Sequence, residues 1–138
     1  MRWGRHGAAG ALFVVRAARG VEALMQLRSA RAHEGGTWSC PGGAIDRGES
    51  PLAAALRETT EEVGAPPEPF EVVGEYVFAP TSDWRYVTSV IHVPHRFGSP
   101  ENFETTEVRW CTADEIERLP LHPGFASAWP HLRALAHD

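Results

Sequence analysis

The chain has 138 residues, 43% hydrophobic and 22% charged, which fits a single domain, residues 1–138, around one core. Its formal net charge of −5 argues against a protein that coats nucleic acid by neutralising phosphates, and its thirteen basic residues are all arginine. Cys40 and Cys111 lack CxxC spacing, so neither a zinc site nor a disulfide framework is indicated and a reducing, cytoplasmic setting is expected.

Arg2 and Arg5 precede the apolar run AAGALFVV in the manner of a signal peptide, but the run is short and reads better as a first strand. LFVVRA (12–17) and VEALMQLRS (21–29) flank the turn ARG and predict a hairpin. ARAHEGG is a loop, TWSCPGG brings a Pro-Gly-Gly break, and AID (44–46) reads as a short strand before the polar RGE. Ser50 and Pro51 then supply an N-cap and a first-turn proline, and Gly64 with Pro66 and Pro67 ends the helix they open. EVVGEYVF (71–78) and RYVTSVIHV (85–93) predict a second strand pair joined by the loop APTSDW, and FGSPENFETTE is a polar, acidic loop. VRWC is a last strand, and Thr112 to Glu115 forms a capping box ahead of ADEIERL. A terminal helix is expected over about 123–136, with Phe125, Trp129, Leu132 and Leu135 on or near one face and Pro130 kinking it. Trp38, Trp110 and Trp129 are expected in the core, and no segment has the length of a transmembrane helix. This order predicts an α/β fold, a mixed β-sheet covered by helices.

The helix over 51–63 carries the chemistry. On a helical wheel Leu52, Leu56, Thr59 and Val63 fall within roughly 60° and predict the buried face, while Glu58, Glu61 and Glu62 cluster nearly opposite. Like charges at i,i+4 cost a few tenths of a kcal/mol, and the C-terminal end of a helix disfavours anions. Local stability therefore does not explain the cluster, whereas a hard divalent cation, which seeks carboxylate oxygens and bridges to phosphates, does.

The stretch GAIDRGESPLAAALRETTEEVGA resembles the Nudix box, with Gly43, Glu49, Arg57, Glu58, Glu61, Glu62 and Gly64 in register and only the packing positions Thr59 and Ala65 departing. The resemblance implies the Nudix α/β/α sandwich and hydrolysis of a nucleoside diphosphate linked to another group. It also implies that Glu58, Glu61 and Glu62 hold Mg²⁺ or Mn²⁺, with the Gly42 carbonyl as a further ligand. Arg57 and Glu49 then orient the cluster, together with the turn glycines. Family members draw another acid from the loop beyond the sheet; here Glu104 is favoured over Glu107 and Glu101. The implied chemistry is attack of an activated water on one phosphorus, with Glu61 or Glu104 accepting its proton.

Substrate identity lies outside the box. Pro80 falls fifteen residues after Ala65, a spacing that resembles ADP-ribose pyrophosphatases of the family, so an ADP-ribose-type nucleotide is the leading expectation. Modified nucleoside triphosphates and dinucleoside polyphosphates are alternatives, as are an RNA-processing hydrolase and a non-catalytic nucleotide-binding module. Phe78, Trp84 and Tyr86 are candidates to stack on a base, and Arg28 and Arg85 to touch phosphates. The seven histidines, His6, His33, His92, His95, His122, His131 and His137, show no zinc spacing. No nucleic-acid or membrane partner is expected; a homodimer is, by resemblance.

Overall fold

The computed structural model describes residues 6–30, 32 and 34–137, so Arg2, Arg5 and His33 lie outside the described residues. Among the described residues seven strands form one mixed sheet, β1 (Ala8–Ala17), β2 (Gly20–Arg28), β3 (Trp38–Ser39), β4 (Gly42–Ala44), β5 (Glu71–Thr81), β6 (Trp84–His92) and β7 (Thr105–Thr112). Its spine runs β3-β2-β1-β6-β5, with β1 and β6 parallel; β4 adds to β1 and β7 to β2. Helix α1 (Pro51–Val63) covers one face, and α2 (Ala113–Glu117) with α3 (Pro123–His137) covers the other.

The period-two alternation of β1 assigns its side chains to these layers. Leu12 and Val14 join Met25, Ile116, Phe125, Trp129 and Leu132 on the α2/α3 side, while Ala9, Ala11 and Phe13 join Leu24, Ala54, Ala55 and Ile91 under α1. The sandwich expected from the box is the fold observed. Trp38 and Trp129 are buried and Trp110 is partly buried, its Nε1 donating to the Phe97 carbonyl at 2.9 Å. Both cysteines are buried and free. No helix among the described residues is long and apolar enough to cross a membrane.

The predicted elements need four adjustments. β1 begins at Ala8 rather than Leu12, because Ala8–Gly10 pair with β4, and this small-residue end admits close neighbours: a Cβ on Gly10 would stand 2.8 Å from the Tyr86 hydroxyl. The short strand after the Pro-Gly-Gly break is Gly42–Ala44, not AID, since the pairing with β1 starts at the glycines. The loop APTSDW shrinks to a turn, as Thr81 pairs with Trp84. Helix α3 runs on through Pro130, which lies on its exposed side.

Helix α1 starts and stops where its sequence dictates. Ser50 Oγ accepts from Ala53 N at 3.1 Å, Pro51 opens the first turn, and Gly64 closes the helix at φ 105°, its N–H donating to the Thr59 and Thr60 carbonyls. The buried face is rotated from the one the leucines predicted. Ala54, Ala55, Thr59, Glu62 and Val63 are buried, Glu58 is half-buried, and Leu52 and Leu56 are only partly so. The small alanines let α1 lie close on β1 and β4, which draws the arc through Glu58 and Glu62 inward. The two acids therefore point at the sheet rather than away from it.

Candidate active site

Strand β4 builds the floor. Ala11 N donates to the Pro41 carbonyl and Ile45 N to the Gly7 carbonyl, so Gly42 and Ala44 occupy the alternate positions whose backbone groups face away from β1. On that outer edge Gly42 N–H donates to Glu62 Oε1 at 3.2 Å, and the Ala44 carbonyl accepts from Arg57 Nη2 at 3.0 Å. The Gly42 carbonyl shares the same edge.

Glycine is required here for room. A Cβ on Gly43 would fall 2.2 Å from Glu58 Oε2 and 2.3 Å from its Cδ, so the carboxylate of Glu58 rests against the bare Gly43 backbone. A Cβ on Gly42 would stand 2.6 Å from the Ala9 carbonyl oxygen and 2.7 Å from the Tyr86 hydroxyl.

Arg57 organises the acids from the outer side. Its Nε and Nη2 grip Glu49 in a two-pronged pair at 2.8 and 3.0 Å, its Nη1 reaches Glu61 Oε1 at 3.3 Å, and Nη1 lies 3.5 Å from Glu58 Oε2. Glu49 also accepts from Asp46 N at 2.9 Å, which closes the loop around Gly48. The Arg57 guanidinium, then that backbone donor, hold the Glu49 carboxyl down at about 2.

Glu58, Glu62 and Glu104 line one cleft of about 200 Å³ with Gly42, Gly43, Gln26, Arg28 and Thr105. Burial is the first cause that pushes the Glu58 carboxyl up to about 7, followed by the charge of Glu61. Burial also pushes Glu62 up to about 7, against the hydrogen bonds from Gln26 and Gly42. Glu61 is exposed, does not line the cleft, and turns to Arg57. Of the loop acids, Glu104 lines the cleft, Glu101 accepts from Ser99 Oγ, and Glu107 is paired with Arg109. Asn102 carries Glu104 to the helix: its Nδ2 donates to the Glu61 carbonyl and its Oδ1 accepts from Glu104 N.

These donors suit a hard divalent cation. They are two half-buried or buried carboxylates that repel each other and an outward backbone carbonyl, all oxygen ligands. Among the described residues no three acidic, histidine or cysteine side chains stand close enough to hold a metal by themselves. Backbone, water and phosphate oxygens would have to complete the sphere, as Mg²⁺ commonly requires.

A second cavity of about 230 Å³ adjoins the cleft on the α3 side and shares Arg28 and Gly42 with it. Tyr76, Phe78, Trp84 and Tyr86 of β5 and β6 face Phe125 of α3 across it, with His122, Thr88 and Ser39 as polar members. Arg85 alternates with Trp84 and Tyr86 and so faces away; Pro80 is exposed at the far end of β5, by the turn. Neither of these two expected substrate contacts lines either of the two cavities described. A β-bulge between Leu27 and Arg28 interrupts the β2–β7 ladder, and Arg28 stands in the wall of both. Gln26, Thr105, Tyr76, His122 and Phe125 line these cavities though the sequence reading did not place them there; the one local signal is the polar Gln26 within the apolar run ALMQL.

Sheet, helices and acidic cleft define the class: an α/β/α sandwich with its carboxylates on the first long helix, where the box places them. The chain belongs to the Nudix family, the NUDIX domain model matching residues 4–133. It is similar to putative 8-oxo-dGTP diphosphatase 3 of Mycobacterium tuberculosis, 42% identical over 137 residues, which are 95% of this chain and 63% of that protein. It is also similar to CTP pyrophosphohydrolase of Escherichia coli, 33% identical over 106 residues, 72% of this chain and 73% of that one. The crystal structure of a Nudix hydrolase from M. smegmatis, RenU, superposes with a TM-score of 0.80 at 38% identity, over 96% of this chain and 86% of that one. The chain thus spans less than two thirds of the length of the M. tuberculosis relative.

Proposed function

We propose that this domain hydrolyses a phosphoanhydride bond of a nucleotide, and that nucleoside triphosphates are the favoured substrate class. The observation that carries the proposal is the junction of the two cavities: an aromatic pocket of about 230 Å³ adjoins the acidic cleft and shares Arg28 and Gly42 with it. A base stacked among Trp84, Phe78 and Phe125 places its phosphates past Arg28, whose guanidinium suits phosphate oxygens. Two of the relatives are named for nucleoside triphosphates, 8-oxo-dGTP and CTP, in support. An ADP-ribose-type substrate is the weaker alternative, since Pro80 lies outside both cavities.

Mg²⁺ or Mn²⁺ held by Glu58, Glu62 and the Gly42 carbonyl would neutralise phosphate charge and lower the pKa of a nearby water. The chain supplies the remainder. Arg57 and Glu49 lock the helix to the strand edge, and Gly43 lets Glu58 reach the cleft. Asn102 presents Glu104, the acid we assign as base; Glu61, bound to Arg57, is assigned no proton transfer, and its charge beside Glu58 adds to the negative field that a cation would neutralise. Water oxygen bonds to phosphorus, its proton passes to Glu104, and the anhydride P–O bond breaks with its electron pair on the leaving phosphate.

The test is a panel of CTP, dGTP, 8-oxo-dGTP, ADP-ribose and diadenosine tetraphosphate with Mg²⁺ or Mn²⁺, reading released nucleotide and phosphate. Highest kcat/KM on a triphosphate is expected. Preference for ADP-ribose would overturn the substrate class, and binding without turnover of any compound would move the domain to a nucleotide-binding role.

A further inference from the structure

Gln26 lies on β2 with its side chain buried between the helix that carries the acids and the strand that follows the acidic loop. Its Nε2 donates to Glu62 Oε1 at 3.0 Å, the oxygen that also accepts from Gly42 N–H. In the ionised form that would bind a cation Glu62 only accepts, and the Gln26 amide turns its NH₂ toward it. That leaves the Gln26 carbonyl facing Thr105, whose hydroxyl donates to it at 3.1 Å. Thr105 is itself buried and opens β7 directly after Glu104.

We infer that Gln26, oriented by Thr105, is a positioning residue for Glu62. It holds one carboxylate oxygen against the strand edge and leaves the other to the cleft. Through Thr105 the same amide ties the loop bearing Glu104 to the helix bearing Glu58 and Glu62, so the acids from two distant segments keep one spacing. Both polar ends of Gln26 are engaged within the protein, which is why its role is to aim Glu62 rather than to meet a phosphate. The inference rests on Glu62 being a metal ligand. Outer partners of this kind typically change metal affinity by about 10- to 100-fold when removed.

The experiment measures Mn²⁺ affinity by calorimetry, alongside thermal unfolding, in the whole chain and its Gln26→Met, Thr105→Val, Thr105→Ser and Glu62→Gln variants. Gln26→Met should weaken Mn²⁺ binding by about tenfold or more. Thr105→Val should weaken it in the same sense, whereas Thr105→Ser, which restores the hydroxyl, should bind as the unaltered chain does. In the Glu62→Gln background Gln26→Met should change nothing further. Unaltered affinity in a folded Gln26→Met, with Glu62→Gln impaired, overturns the positioning role alone. Unaltered affinity in Glu62→Gln overturns the metal reading and this inference with it. If Gln26→Met does not fold, the Thr105→Val and Thr105→Ser pair decides: equal affinities overturn the role.

Discussion

Substituting Gly43 by alanine adds one carbon, yet that carbon would stand 2.2 Å from Glu58 Oε2. Ordinary contact begins roughly an ångström farther out, and displacement of a reacting group by that much costs about 10²-fold in rate. The clash runs from the carboxylate back to Glu58 Cγ at 2.8 Å, so the whole flexible side chain must swing toward solvent through its first torsion, at a rotamer cost of about 1 kcal/mol. It then leaves a site where burial and Glu61 had raised its carboxyl to about 7, which offsets part of that cost. Stability and function should therefore separate. Thermal unfolding in chelator should move by no more than a few degrees, while kcat on the best substrate falls about 10²-fold and Mn²⁺ binding weakens. A Gly43→Ala protein with unaltered kcat and Mn²⁺ affinity would refute the assignment of Glu58 to the cation and the reason given for the glycine. Loss of the fold would instead show that the strand edge cannot release Glu58.

Arg57→Lys should lower kcat by more than about tenfold with the fold retained, because one ammonium cannot serve both oxygens of Glu49, the Ala44 carbonyl and Glu61 together; titration of Glu49 by NMR should show its carboxyl rising from about 2 in the same variant. Glu58 and Glu62 have folded pKa values of about 7 against 4.5 ordinarily, so the folded state holds protons that the unfolded chain releases, and metal-free stability should fall as pH rises from about 4.5 to 7. Melting temperatures across that window in chelator check the sign, and Mn²⁺ affinity should rise over the same range as the competing protons leave. Glu104→Gln should cost about 10²- to 10⁴-fold in kcat, as loss of a general base does, whereas Glu107→Gln, paired with Arg109 outside the cleft, should stay within about twofold. Trp84→Ala should raise KM by roughly tenfold through lost stacking, while Pro80→Ala should leave steady-state kinetics unchanged.

What the sequence discloses is what lies close along the chain. Ser50, Pro51 and Gly64 act through backbone groups within a turn, and Thr112 and Glu115 cap each other three residues apart, so each signal is complete in its own neighbourhood. Gly43, Glu49 and Arg57 are legible for a similar reason: one loop and one helix hold them, and their spacing survives in the sequence as a fixed pattern. The contact of Thr105 with Gln26 spans 79 positions and exists only because β7 lies beside β2. No local pattern announces it. The aromatic pocket is similar, needing α3 to close over β5 and β6 before Phe125 faces Trp84.

The acids of α1 show how a sound local rule meets a larger constraint. Periodicity weighs leucine above alanine and places the buried face on Leu52, Leu56, Thr59 and Val63, with the glutamates outside; Thr59 and Val63 are buried as expected, but the leucines only partly. Packing weighs distance instead: Ala54 and Ala55 allow the helix axis to approach β1 and β4, and the residues between them on the wheel, Glu58 and Glu62, are carried inward whatever their charge. A helix facing its carboxylates into a strand edge is unfavourable as a structural device, since burial and like charge both push those carboxyls up to about 7. Three features reduce the penalty without removing it: Gly42 N–H and Gln26 on Glu62, bare Gly43 under Glu58, and Arg57 holding Glu61 to the outside. The remaining penalty is the part that a divalent cation would relieve, so metal binding at this cleft and a cost to the metal-free form would share one physical origin.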